Sequence, residues 1–360
     1  MTEKKTTVAV FFGGVSSEHE VSRVSAVTVR RGLEEAGYEV LPVGITKSGD
    51  WMYFPGEPEA MADGSWETSP LAQYCTLNCS RSEHGIWLTG GVAELLNFDV
   101  AWPALHGRNG EDGTNQGRFE LAGVPYVGCG VLSSAVCMDK AVANTLLDAA
   151  GVPRCEWTWA SRRECADPGA VADRVCAQLD WPIFVKPANA GSSVGISKAA
   201  DRDALIKAIA VALAEDDKVV FERFVDGQEV ECAVMGNDEL FSTLPGEILA
   251  GDEFYTYDDK YKNGVSRTLI TADLPQEKLE EVRRLALAAY RALDCAGLSR
   301  CDFFVERGTG KVLCNEINTL PGFTAISMYP QMMEHAGLPL ADLCRRLVEL
   351  AQERKGPYHG

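Results

Sequence analysis

Short apolar runs alternate with longer amphipathic ones along this chain, and that alternation restricts the fold more than any other feature. Thr7 to Phe12 reads as an apolar strand ending in Gly13-Gly14, Glu20 to Ala36 as an amphipathic helix stopped by Gly37, and Tyr38 to Ile45 as the next strand. Strands separated by helices of this kind argue for an α/β architecture. The pattern continues with a strand at Phe98 to Leu105, the loop His106 to Gly113 and a helix near Gln116 to Ala122. A second unit, beginning near Pro125, is predicted to hold helices at Ser133 to Asp148, Pro168 to Leu179 and Arg202 to Ala214, with strands at Ile183 to Val185 and Lys218 to Phe224. A third holds a strand at Glu229 to Met235, a polar loop from Gly251 to Arg267, and helices at Gln276 to Leu293 and Leu340 to Glu353. Residues 47 to 97, richer in Gly, Pro, Ser and Trp, read as a loop-rich insertion with one clear strand at Gly85 to Leu88. With 360 residues, two or three domains are expected, and the breaks fall at 1–124, 125–224 and 225–360.

The third unit carries the most chemical segment. Residues 299 to 306 and 312 to 318 read as two strands joined by Arg307-Gly308-Thr309-Gly310-Lys311, whose glycines suit a tight turn. A three-residue loop at Gly308 to Gly310 sets Asp302 opposite Glu316 and Arg300 opposite Asn318. Cys301, Phe303, Val305, Leu313 and Ile317 then share an apolar face. Acids directly across a strand pair repel one another. A shared hard cation removes that penalty, and carboxylate and amide oxygens are what Mg²⁺ accepts, usually with nucleotide phosphates completing its octahedron. A solvated hairpin face bearing a few charges is the plainer alternative.

Composition narrows the function classes. A net charge of −18, with no basic stripe, leaves nothing to grip a nucleic-acid backbone or an anionic membrane. No apolar run approaches the ~20 residues that span a bilayer, and Met1 to Thr7 is charged without a signal-peptide core, so a cytoplasmic protein is expected. The 12 cysteines are scattered through apolar segments without a CxxC pair, and most read as reduced, buried small hydrophobes.

Three further segments look chemical. Lys186-Pro187 runs into the small-residue loop Ala188 to Gly195, whose backbone N–H groups could close over phosphates while Lys186 reaches a phosphate oxygen. Glu222-Arg223-Phe224-Val225, with Glu229 beyond, could offer backbone groups to an adenine edge and a carboxylate to ribose hydroxyls. A plain hairpin turn and an exposed strand end would read alike. Gly13 to Glu20 is a strand-to-helix junction that favours an anion, but it lacks the GxGxxG spacing and distal acid of a dinucleotide site.

Glu18-His19-Glu20-Val21-Ser22, His106-Gly107 with Gly110-Glu111-Asp112-Gly113 and Gln116-Gly117, Met138-Asp139-Lys140, Lys186-Pro187 with Gly191-Ser192-Ser193-Val194-Gly195, Lys260-Tyr261, Arg300 with Asp302, and Asn315 to Thr324 follow one another along the chain. In that order they resemble the D-alanine:D-alanine ligases of the ATP-grasp superfamily, from about residue 7 to residue 350. The resemblance implies a three-domain ATP-grasp architecture whose N-terminal domain is a parallel-sheet α/β unit that binds substrate. ATP is then held between the central and C-terminal domains. It implies ligation of two D-alanines through an acyl phosphate, giving ADP and phosphate for peptidoglycan precursor synthesis, in a homodimer. By the same resemblance Asp302, Glu316 and Asn318 hold two Mg²⁺, for which Mn²⁺ can substitute. Lys140, Lys186 and Ser193 contact ATP, Glu222 and Arg223 lie at its adenine, and Glu229 lies at its ribose. Arg223 stands where lysine is common. Arg300 and the Gly322 N–H face the oxyanion, while Glu18 takes the ammonium of the first D-alanine with His106 nearby. Ser192 and Tyr261 join Glu18 in ordering a lid, the loop Gly251 to Arg267, which also carries Lys260 as a substrate-binding residue. Ser327 takes the carboxylate of the second D-alanine, and Met328 packs near its methyl group.

The second substrate is the open choice. Lys260-Tyr261 resembles the dipeptide-forming group, and no histidine lies between Gly251 and Arg267, which disfavours D-lactate. D-Serine is the alternative within the family, since a hydrophobic pocket rejects an added hydroxyl by only about 10². A non-catalytic ATP-binding regulator is the alternative outside it, opposed by intact Arg300, Asp302, Glu316 and Asn318.

Overall fold

A computed structural model describes residues 5–191, 194–249 and 267–354, whose strands form three sheets in chain order. In the first, Thr7–Gly13 lies between Glu39–Ile45 and Val100–Pro103 and is parallel to both, with His19–Glu35 as the crossover helix. Val8 to Phe12 are wholly inaccessible, as a strand covered on both faces requires.

The 47–97 region departs from expectation. Instead of loops around one strand, it contributes Trp51–Tyr53, Gln73–Leu77, Gly85–Leu88 and Glu94–Asn97, which extend the first sheet antiparallel to seven strands. The sheet is therefore mixed. Gln73, Tyr74 and Thr76 are exposed while Cys75 and Leu77 are buried, so this strand never forms the apolar run that Gly85–Leu88 shows.

Trp157–Ser161, Ile183–Pro187, Ser197–Ala199 and Lys218–Arg223 make the second, antiparallel sheet. The helix expected at Ser133 to Asp148 is two helices, Val131–Met138 and Lys140–Ala149. Asp139 breaks it: with φ −86° and ψ 97° it leaves helical geometry, and its carboxylate accepts the Ala141 and Val142 N–H groups as an N-cap. Lys140 is thereby fixed at the head of the second helix.

The third sheet has six strands, centred on Gly227–Gly236 and the hairpin Gly297–Glu306/Val312–Asn318. Glu306 N–H bonds Lys311 O at 2.9 Å, so the loop is Arg307 to Gly310, four residues rather than three. Val305 then faces Val312 and Phe303 faces Cys314, one residue out of the expected phase. A bulge at Asn315 restores it, and Asp302 faces Glu316 as Arg300 faces Asn318. Val312 and Cys314, rather than Leu313, therefore join Cys301, Phe303, Val305 and Ile317 in the core beneath helix Gln276–Ala292.

The last described helix, Leu340–Glu353, returns to the first unit. Its Leu343, Cys344, Leu347 and Val348 share a core with Val8, Val10, Val29 and Leu33. The approach is close enough that a Cβ on Gly32 would lie 2.6 Å from Cys344 Sγ and 2.8 Å from Leu340 Cγ.

Candidate active site

A cavity of about 130 Å³ lies where the three units meet. Glu18, His106 and Glu111 line it from the first, Lys140 and Gly191 from the second, and Glu231, Arg300, Glu316, Asn318, Gly322, Ser327 and Met328 from the third. Glu231, Asp302 and Glu316 stand opposite one another on three adjacent strands, a row of carboxylates across the sheet.

Cations within the protein offset the repulsion in that row. Arg300 forks onto Asp302, with Nε 2.8 Å from Oδ1 and Nη2 2.7 Å from Oδ2, and its Nε is 3.2 Å from Glu231 Oε2. Burial pulls the Arg300 guanidinium down, but Asp302 and Glu231 outweigh it and hold the group well above the ordinary arginine value. Lys140 Nζ is 3.4 Å from Glu316 Oε2 and donates to Ala190 O at 2.9 Å. Arg300 and Lys140 thus offset part of the repulsion between the facing acids.

The donor set still fits Mg²⁺. Among the described residues no group of three or more His, Cys, Asp or Glu side chains is arranged to hold a metal by itself. The hairpin offers two carboxylates and the Asn318 amide, whose Nδ2 donates to Asp302 Oδ2 at 2.9 Å and whose oxygen is the group a cation would take. Mg²⁺ ordinarily draws only one or two carboxylates from a protein and keeps water and phosphate oxygens for the rest.

Lys186 and Glu222 form a second buried ionic group. Lys186 Nζ is 2.6 Å from Glu222 Oε2, while Arg154 Nη2 at 3.8 Å and Asn144 Nδ2 at 3.3 Å approach Oε1. Burial would raise the Glu222 carboxyl, but Lys186 and Arg154 hold it below the usual range; burial likewise depresses Lys186, and Glu222 more than restores it. Arg223 binds Glu156 at 2.5 Å and Glu306 at 2.9 Å, so its side chain ties the second sheet to the hairpin. Glu229 is half-buried, paired with Phe304 and Ile248 in the third sheet.

Glu18 is buried, and its Oε2 would lie 2.6 Å from a Cβ on Gly107 and 3.1 Å from one on Gly191. Those glycines admit the carboxylate between the first unit and the segment ending at Gly191. Ser327 stands at the N-cap position of helix Met328–His335 without a side-chain capping bond; its Oγ instead accepts the Thr324 N–H, before the helix, at 3.0 Å. Met328 is buried behind it. Ser192, Ser193, Lys260, Tyr261 and the expected lid at 251–267 lie outside the described residues, save Arg267–Leu269, a strand of the third sheet.

Glu231, Arg154, Asn144 and Glu111 were not singled out from sequence. Glu111 lies within a quoted motif, and Glu231 repeats the period-two spacing from Glu229; Arg154 and Asn144 offered no local signal. Glu111 Oε1 accepts the Gly107 N–H at 2.7 Å. Burial, then Glu18, push its carboxyl from 4.5 up to about 8. Between those values the folded state holds a proton that the unfolded chain releases, so this group's contribution to stability declines as pH rises through the window. Glu111→Gln is expected to gain stability over the parent chain progressively from pH 4.5 to about 8 in urea unfolding of the nucleotide-free protein. A constant difference across that range would show that Glu111 stays ionised.

Comparison with known proteins points one way. The family models for the D-ala D-ala ligase N-terminus and C-terminus match residues 7–129 and 146–349. D-Alanine–D-alanine ligases of Acetivibrio thermocellus and Caldicellulosiruptor bescii are each 46% identical, over 97% of this chain and 96% of theirs. The structure of VanG D-Ala:D-Ser ligase from Enterococcus faecalis superposes with a TM-score of 0.88 at 38% identity, over 97% of this chain and 100% of its own. That of the D-alanine-D-alanine ligase from Coxiella burnetii gives 0.86 at 34%, over 98% and 95%. Both halves of the family are matched along nearly the whole length, and this chain belongs to the D-alanine–D-alanine ligase family of ATP-grasp enzymes.

Proposed function

We propose that this chain joins two D-alanines into D-alanyl-D-alanine at the expense of ATP, supplying a peptidoglycan precursor in the cytoplasm. The observation that carries the reading is the register that brings Arg300, Asp302, Glu316 and Asn318 together, with Lys140 3.4 Å from Glu316 and Glu18 lining the same cavity. Cations for phosphates, acids for a metal and a carboxylate for an ammonium thus share one cavity. Units 1–124, 125–224 and 225–360 act as the substrate-binding domain and the two halves that hold ATP.

In the first step a D-alanine carboxylate oxygen bonds to the γ-phosphorus and the bond to ADP breaks. In the second the amine of the other D-alanine attacks the acyl carbon and phosphate leaves. Both steps gather negative charge, so fixed cations and N–H groups matter more than protein nucleophiles. Mg²⁺ held by Asp302, Glu316 and Asn318 would neutralise the phosphates. Lys186 can turn from Glu222 to a phosphate because Arg154 and Asn144 remain, so no buried carboxylate is stranded. The guanidinium of Arg300 and the Gly322 N–H face the tetrahedral oxyanion, Glu18 takes the first ammonium, and Ser327 takes the second carboxylate beside Met328.

The likeness to a D-Ala:D-Ser ligase keeps D-serine as a second reading. Incubation with ATP, Mg²⁺ and equal D-alanine and D-serine, with products weighed by mass spectrometry, separates them. D-Ala-D-Ala is expected in excess by about 10², the discrimination an apolar pocket can reach against a hydroxyl. Predominant D-Ala-D-Ser would reverse the assignment, and absence of D-alanine-dependent phosphate release would leave a regulator.

A further inference from the structure

Helix His19–Glu35 turns two fully buried serines, Ser22 and Ser25, to one face. Ser22 is satisfied within its own unit, donating to Ala104 O at 2.6 Å and accepting the Gly13 N–H at 2.8 Å. Ser25 reaches into the third. Its Oγ accepts the Phe323 N–H at 3.3 Å and lies 3.0 Å from His106 Nε2, while His106 Nδ1 lies 3.1 Å from Leu320 O.

The direction of this chain is determined by its end. A carbonyl can only accept, so Nδ1 bears the proton, and in the neutral ring Nε2 accepts from the Ser25 hydroxyl. Burial keeps the ring neutral by lowering His106 below the ordinary histidine value, against the opposing pull of Glu18. Phe323 N–H, Ser25, His106 and Leu320 C=O therefore form one continuous donor-to-acceptor relay. Its two ends lie on either side of Gly322. The Phe323 ring also packs edge-on against Trp102 at 5.7 Å, so the first unit grips this segment by both polar and apolar contacts.

We propose that Ser25 is a positioning residue for the ligation, holding Leu320 to Phe323 through His106 so that the Gly322 N–H is aimed at the oxyanion. The role rests on the ligase reading above. Ser25 itself does not line the cavity, and it lies across the domain boundary from the loop that it shapes.

Ser25→Ala and Ser25→Thr test it together. Alanine removes the hydroxyl and leaves two buried partners unmatched, whereas threonine keeps the hydroxyl but forces a methyl into a filled site. Alanine is expected to lower kcat by up to about 10², the cost of a misplaced catalytic group, with KM for ATP unchanged. Threonine should be less stable than the parent chain yet retain most of its kcat. Activity that follows melting temperature rather than the hydroxyl would overturn the proposal. ¹⁵N NMR of the His106 ring gives a readout independent of turnover: a neutral Nδ1–H tautomer in the parent chain supports the relay, and an Nε2–H tautomer overturns it. Failure of the parent chain to form dipeptide would overturn the ligase reading and the role with it. An active parent chain with a fully active Ser25→Ala variant would overturn the role alone.

Discussion

Glu316→Gln is expected to lower turnover by about 10³-fold, the upper end of what losing one charge-stabilising group costs. The change removes one charge and almost no volume. Glu316 is one-third exposed, and its partner Lys140 keeps a second acceptor in Ala190 O. An ion pair this accessible contributes within about 1 kcal/mol, so thermal melting should hardly move. Steady-state phosphate release beside a melting curve checks both halves of the expectation. Normal turnover would take the hairpin out of the reaction, and a collapsed melting temperature would make Glu316 a structural residue.

The second large effect is at Arg300. Lysine retains the charge but not the fork that engages both oxygens of Asp302 while leaning on Glu231. Arg300→Lys should reduce kcat by roughly 10² or more, the scale of one oxyanion donor, with KM for ATP little altered. Some stability should also go, since Asp302 and Glu231 are both buried and one ammonium cannot satisfy them equally. Kinetics at a temperature well below the melting point separate the two effects. A loss confined to KM for ATP would make Arg300 a nucleotide ligand.

The hairpin shows how far the sequence could be read. Two expectations failed there and cancelled: the loop has four residues rather than three, and the bulge at Asn315 adds the residue that brings Glu316 back opposite Asp302. Periodicity places the acids correctly but cannot count a bulge, which leaves no local signature in Cys314-Asn315-Glu316. Leu313 shows the cost, assigned to the wrong face because phase was carried through the bulge. Asp139 gives the reverse lesson. Its capping chemistry was visible in Met138-Asp139-Lys140, but apolar periodicity on both sides suggested one helix. The relay through Ser25 was out of reach altogether, because its partners lie 81 and 298 positions away and nothing local marks them.

Helix Leu340–Glu353 is synthesised long after the first strand, and it completes the core that begins with that strand. On the ribosome, the part of His19–Glu35 that this helix covers must wait for it through about 300 further residues, roughly 15 to 60 s at about 5–20 residues per second. Throughout that interval Val29, Leu33 and the flank of Gly32 have no Leu343, Cys344 or Leu347 to cover them. The nascent protein therefore exposes an aggregation-prone apolar seam long before it can be a catalyst. A message truncated ahead of Leu340 would release a chain with the whole hairpin Gly297–Glu306/Val312–Asn318 but an open seam in its first core.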